Sequence, residues 1–138
     1  MNTQKNKRVK YRGNRDSAHK DSSFHTLIEM DGFLENSNEN VYIKISTNEY
    51  HKKPHFHIES ENLTFCSSIL LEKAKYYKDS NRCDKLSKRQ KEILNDYISR
   101  PNCMNEGSVW ATCVFLWQLS HYGRSYNIEY RPDYTKLK

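Results

Sequence analysis

Three of the chain's six histidines, His51, His55 and His57, fall within seven residues, and Glu59 stands two positions further on. Imidazole changes charge nearest neutral pH and is the commonest transition-metal ligand. Pro54 precedes an alternating run, His55-Phe56-His57-Ile58-Glu59, which reads as a strand. Its side chains then alternate, with Phe56 and Ile58 on one face and His55, His57 and Glu59 on the other. Two imidazoles on one face stand roughly 7 Å apart, close enough to share a divalent ion. His51 or Glu59 would add a third ligand and leave an open position, as in catalytic zinc sites. The same face also suits general acid–base work, with His55, His57 and Glu59 as the groups of a metal-free ribonuclease-like centre. No nucleophile motif or glycine-rich phosphate loop accompanies them. A hydrogen-bonded structural cluster is the plainer reading, so the residues lean away from an enzyme. A divalent metal at His51, His55 and His57 stays open.

The second chemical feature is charge. Residues 1–20 carry Lys5, Lys7, Arg8, Lys10, Arg12, Arg15 and Lys20 against Asp16 alone, a surplus of +6. The other 118 residues balance sixteen cations with sixteen anions. A basic segment on a neutral body points to a polyanionic partner met first by that segment. The cations would neutralise phosphates, Tyr11 would stack on bases, and Lys52 and Lys53 beside the histidines would extend the surface. Residues 1–22 lack apolar periodicity and are expected to form a flexible arm, leaving 23–138 as a single domain. A mean hydropathy of −1.01 agrees with part of the chain lying outside a core.

Several elements position these residues. Strands are expected over Phe24–Met30, Val41–Ser46 and 54–59, with a return strand through Leu63 and Phe65. Asp31-Gly32 marks a turn. Helical spacing of Leu70, Leu71, Ala74 and Tyr77 predicts a helix at about 68–78. Ser87 and Gln90 form a capping box for a second helix at 88–99, stopped before Pro101. Ser108 opens a third at 109–122, with Gly123 as its cap. That helix is apolar almost all round, so it belongs at the centre of the core, and Trp110 and Trp117, seven apart, share a packing face. Tyr126, Ile128 and Tyr130 suggest a last strand. The order implies an α+β fold, a small antiparallel sheet of about four strands packed on one face by two to three helices. On that arrangement His55, His57 and Glu59 face away from the helices.

Cys66, Cys83, Cys103 and Cys113 contain no C-x-x-C pair, and no apolar run approaches 18 residues. Free thiols, a cytoplasmic setting and no membrane association are the expectation.

From Val41 to Tyr122 the chain resembles the DUF 4160 family of small bacterial proteins. The matching residues are Val41-Tyr42-Ile43-Lys44-Ile45, then His51, then Pro54-His55-Phe56-His57-Ile58, then Leu86-Ser87 ahead of Lys91-Glu92-Ile93-Leu94, and the Trp110–Trp117 segment. Tyr50 stands where the family has Asp, and Lys53 where it has a first Pro. The resemblance implies a small α+β fold, a mobile-element or toxin–antitoxin setting, and a unit formed by His51, His55 and His57. The family itself has no settled activity.

The expected function is non-catalytic binding of nucleic acid, or of a ribonucleoprotein or nuclease complex. A phage-encoded, anti-CRISPR-like inhibitor of a bacterial nuclease fits the same basic arm, and the metal-dependent or His/Glu ribonuclease stays as the enzymatic alternative. The oligomeric state is open.

Overall fold

A computed structural model describes residues 10–13, 24–46, 53–77, 82–101, 107–120 and 128–138. Five antiparallel strands follow one another as neighbours in chain order: β1 (Lys10–Gly13), β2 (Phe24–Glu29), β3 (Val41–Ser46), β4 (His55–Ser60) and β5 (Cys66–Leu70). Two helices, α1 (Lys88–Ile98) and α2 (Val109–Ser120), pack with the sheet in an α+β fold. The first strand lies inside the segment expected to be an arm. Lys10–Gly13 pairs with β2, while the rest of residues 1–22 lies outside the described residues.

β3 forms as its alternation predicts. Val41, Ile43 and Ile45 are buried, and in register Ile43 faces Ile58 while Lys44 faces His57. β2 departs from simple alternation. Thr26 is opposite Lys44, yet Ile28 is opposite Ile43, so the register shifts between them and the two side chains point to opposite faces. The bulge lets Leu27 and Ile28 both enter the core.

The helix expected at about 68–78 does not form. Ser67 to Leu70 are all buried and continue β5. A short apolar run buried on both faces carries no periodicity that separates strand from helix. The chain then reverses: the Leu70 N–H donates to the Lys75 carbonyl, and the Tyr77 N–H to the Ser68 carbonyl, both near 2.9 Å. Ile69 bridges Tyr76. This return covers the outer edge of β5, and Asp84 closes its start by accepting from the Cys66 N–H at 3.0 Å. A covered edge cannot recruit another strand. Leu63, expected in the return strand, sits instead in the hairpin turn with φ near 60°.

α1 starts with the predicted capping box. The Ser87 hydroxyl accepts from the Gln90 N–H at 3.1 Å, and the Gln90 side chain accepts from the Ser87 N–H at 2.9 Å. The first turn also holds the β2–β3 loop. Gln90 donates to the Phe33 carbonyl at 3.1 Å and Arg89 donates to the Gly32 carbonyl. That loop needs Gly32, whose φ of 73° is a left-handed value unfavourable to other side chains. α2 is buried along most of its circumference, apart from a stripe at Phe115 and Leu119. Its predicted Gly123 cap lies outside the described residues. No described helix is long and apolar enough to cross a membrane.

The C-terminal segment does more than the expected strand would. Tyr126 lies outside the described residues, and Ile128 and Tyr130 join no strand. After Pro132 a 3-10 turn, Tyr134–Lys136, buries Tyr134 and Leu137. The Tyr134 hydroxyl donates to the Leu70 carbonyl at 2.7 Å, and the Trp110 indole N–H donates to the Leu71 carbonyl at 3.1 Å. The Tyr134 ring meets Phe56 edge-on at 5.5 Å, and its N–H donates to the Asn95 side chain at 3.0 Å. One residue therefore ties α1 and the end of β5 to β4.

Tyr134→Phe removes the hydroxyl and leaves the buried Leu70 carbonyl short of a partner, at a cost of about 1–3 kcal/mol. Tyr134→Ala also opens a cavity, at a cost of about 3–5 kcal/mol. Equilibrium urea unfolding of both variants against wild type measures the order, and equal midpoints for all three would contradict the locking role.

Candidate functional site

Pro54, itself buried, leads into the histidine strand β4. In register, His55 is opposite Leu70, His57 lies between Lys44 and Ser68, and Glu59 lies between Tyr42 and Cys66. The two imidazoles share a face, as expected, with ring centroids 4.8 Å apart.

His55 is not turned toward solvent. It is fully buried, stacked on Tyr77 at 4.4 Å and 25°, with Trp117 at 5.0 Å. Its Nδ1 donates to the Lys53 carbonyl at 2.7 Å, since a carbonyl oxygen can only accept. The reason is tertiary. The β5 return supplies Tyr77 and the last turns of α2 supply Trp117, so the histidine face is not the open side of the sheet at this end. His55 serves as a flat, polar-edged member of an aromatic stack.

His57 is half-buried. Its Nδ1 hydrogen-bonds the Ser68 hydroxyl at 3.1 Å, and its ring meets Phe24 edge-to-face at 5.8 Å and 81°. Glu59 forms a diagonal cross-strand ion pair with Lys44, 3.2 Å between Nζ and Oε1, and both side chains are less than one fifth exposed. The Lys44 ammonium also lies 5.6 Å from the Phe24 ring and 5.8 Å from the Tyr42 ring. The carboxylate assigned to acid–base work is thus engaged by a cation that the sequence reading left out. Lys44 was legible as an outward residue of β3, but its pairing depends on a register that one strand cannot reveal.

No three His, Cys, Asp or Glu side chains among the described residues are placed to hold a metal, and His51 lies outside them. The Nδ1 atoms of His55 and His57 already have oxygen partners. Cys66, Cys83 and Cys113 are free thiols, and burial pushes the Cys113 thiol well up.

Of the basic residues, Lys5, Lys7, Arg8, Arg15, Lys20 and Lys52 lie outside the described residues. Lys53 is exposed at the entry to β4. Lys10, Tyr11 and Arg12 belong to β1, where Lys10 is the register partner of Thr26, Tyr11 of His25 and Gly13 of Phe24. The strand that carries part of the charge surplus is therefore the immediate neighbour of the strand that carries Phe24.

Two measurements check this geometry. His55→Ala leaves a void between Tyr77 and Trp117 and lowers stability by about 2–4 kcal/mol, read by urea unfolding; an unchanged midpoint would mean that the imidazole is not packed in the core. His25, on β2, has its pKa lowered by burial. The folded state then binds that proton less readily than the unfolded chain, so the associated stability is present above about pH 6.5 and declines as pH falls below it. His25→Asn flattens this decline in unfolding measured between pH 7.5 and 5.5, whereas an unchanged slope would assign it to other groups.

No family model matches the chain, and neither a curated protein nor a solved structure matches it.

Proposed function

We propose that the chain binds nucleic acid without catalysis, using its basic N-terminal segment as the phosphate contact. The observation that carries this is the segregation of charge, a surplus of +6 within residues 1–20 and a balanced remainder. Counterion release from neutralised phosphates supplies affinity of this kind and makes it fall with salt. The pairing of β1 with β2 supports the reading, because it fixes the middle of the cationic segment to a sheet edge. A segment fixed in this way has less conformational freedom to lose on binding than a free tail.

Two features favour binding over cleavage. Glu59 is held by Lys44 at 3.2 Å, so it is not available as the carboxylate of a His/Glu pair. His55 is enclosed by Tyr77 and Trp117, away from any scissile bond presented at the surface. Lys53, exposed beside the histidine strand, extends the cationic surface.

Replacing Lys5, Lys7 and Arg8 together by Gln tests the assignment without touching β1. Fluorescence anisotropy with labelled oligonucleotides at several salt concentrations gives both affinity and its salt slope. Loss of three phosphate contacts lowers the magnitude of the slope by about 2 on a single strand and weakens binding at low salt. Identical affinity and slope in variant and wild type would remove the segment as the contact.

A further inference from the structure

The described cations of the body fall into two groups. Lys44, Arg82, Arg89 and Arg100 each face a carboxylate at 2.5–3.4 Å. Lys85, Lys88, Lys91 and Lys136 form no ion pair among the described residues, and the fold brings these four together. Lys88 and Lys91 are three apart in the first turns of α1, so they share a helix face. Asn95, four residues beyond Lys91, continues that face and holds the C-terminal segment. Its side-chain oxygen accepts from the Tyr134 N–H at 3.0 Å and from the Arg131 guanidinium at 3.2 Å.

From there the C-terminal segment runs back along α1. Its end reaches the β5 return, where the Lys138 N–H donates to the Ala74 carbonyl at 3.2 Å and the Tyr76 N–H donates to the Lys138 carbonyl at 3.3 Å. Tyr76 in turn sits at the entry to α1, its hydroxyl accepting from the Leu86 N–H at 2.8 Å. The segment therefore borders the cationic half of the helix, with Lys136 between its two anchor points. Lys85 closes the same corner, its ammonium 4.7 Å from the Tyr76 ring centroid. Lys85, Lys88, Arg131 and Lys136 are exposed and Lys91 is half-buried. The described carboxylates beside them are Glu92 on α1 and Asp133, which accepts from the Thr135 N–H at 3.1 Å and hydroxyl at 2.6 Å. Asp84 and Asp96 are taken by Arg82 and Arg100. Five cations against two carboxylates leave a local surplus of +3 among the described residues. The body is balanced in number but not in place.

We infer that this lysine corner is a second phosphate contact, on the folded body, for the nucleic acid that meets the N-terminal segment. The inference rests on the nucleic-acid reading above and adds a site built only from residues 85–91 and 131–136. A lysine ammonium is a compact point charge with three rotatable donors, suited to a phosphate oxygen and indifferent to the base attached. The one described ring at this corner, Tyr76, is buried, so the corner offers charge without a stacking surface. Contact here is therefore to the backbone, independent of sequence, and adds to the salt dependence of binding.

The test replaces Lys88, Lys91 and Lys136 together by Gln in the full chain. Gln matches Lys closely in helix propensity, and the Ser87–Gln90 capping box and the Arg89 contacts stay intact. Thermal unfolding first confirms the fold, and the Lys88/Lys91 pair alone serves if the triple variant is unstable. Anisotropy over a salt series is read with labelled oligo(dT) and a duplex, each of about 15 nucleotides, and with labelled poly-L-glutamate. Loss of three phosphate contacts lowers the magnitude of the slope by about 2 on the single strand and about 3 on the duplex, and weakens binding about tenfold at low salt. Wild-type affinity and slope in the folded variant overturn the corner and leave the N-terminal segment as the whole contact. Weakened poly-L-glutamate binding with nucleic-acid binding intact overturns it too, and assigns the corner to an acidic protein. Absence of nucleic-acid binding by the wild-type chain would defeat the nucleic-acid reading itself.

Discussion

The structure depends on β4 being covered from both sides at its first residues. Phe56 and Ile58 are buried with Ile43, Ile45 and Ile69, and Phe56 is locked by Tyr134. On the opposite face His55 is closed in by Tyr77 and Trp117. A strand held on both faces cannot slip by one residue without exchanging Phe56 for His55, and the core tolerates neither exchange. That fixed register places His57 beside Lys44, Lys44 diagonal to Glu59 and, across the next pairing, Phe24 within reach of His57. The geometry of the candidate surface follows from packing at the other end of the strand.

Charge follows a separate logic. The body balances its ions internally: Lys44 with Glu59, Arg82 with Asp84, and Arg100 with Asp96. Arg82 also donates to the carbonyls of Leu63 and Thr64, so it secures the β4–β5 hairpin. These cations hold the fold. The surplus at the N-terminus has no comparable anionic counterpart in composition. The body is thus balanced in composition, and the terminal segment carries the surplus.

What the sequence revealed depended on whether the signal was local. The capping box at Ser87 and Gln90, the apolar α2 and the alternation of Val41–Ser46 are each set by residues within one or two turns or one strand, and all appear in the structure. The failures share a non-local cause. Ser67–Leu71 reads equally as helix or strand until its partner β4 is known. The bulge between Thr26 and Ile28 is a property of two paired strands. Tyr134, in a polar C-terminal stretch, shows no periodicity yet fills the junction between Phe56 and Leu70. The candidate site divides the same way. The spacing of His55, His57 and Glu59 placed them on one face, but the burial of His55 by Trp117, 62 positions later, was not readable from the strand. Nor was the contact of the Phe24 ring with His57, which arises only through two successive pairings.

The central proposal is that the basic N-terminal segment is a contact for nucleic acid. Amide chemical-shift mapping of the labelled full chain during titration with unlabelled oligo(dT) tests it most directly. The account predicts shifts concentrated in residues 5–15, with the Phe115–Leu119 stripe of α2 unaffected. Shifts confined to α2, or confined to the histidine strand with none in residues 5–15, would contradict it.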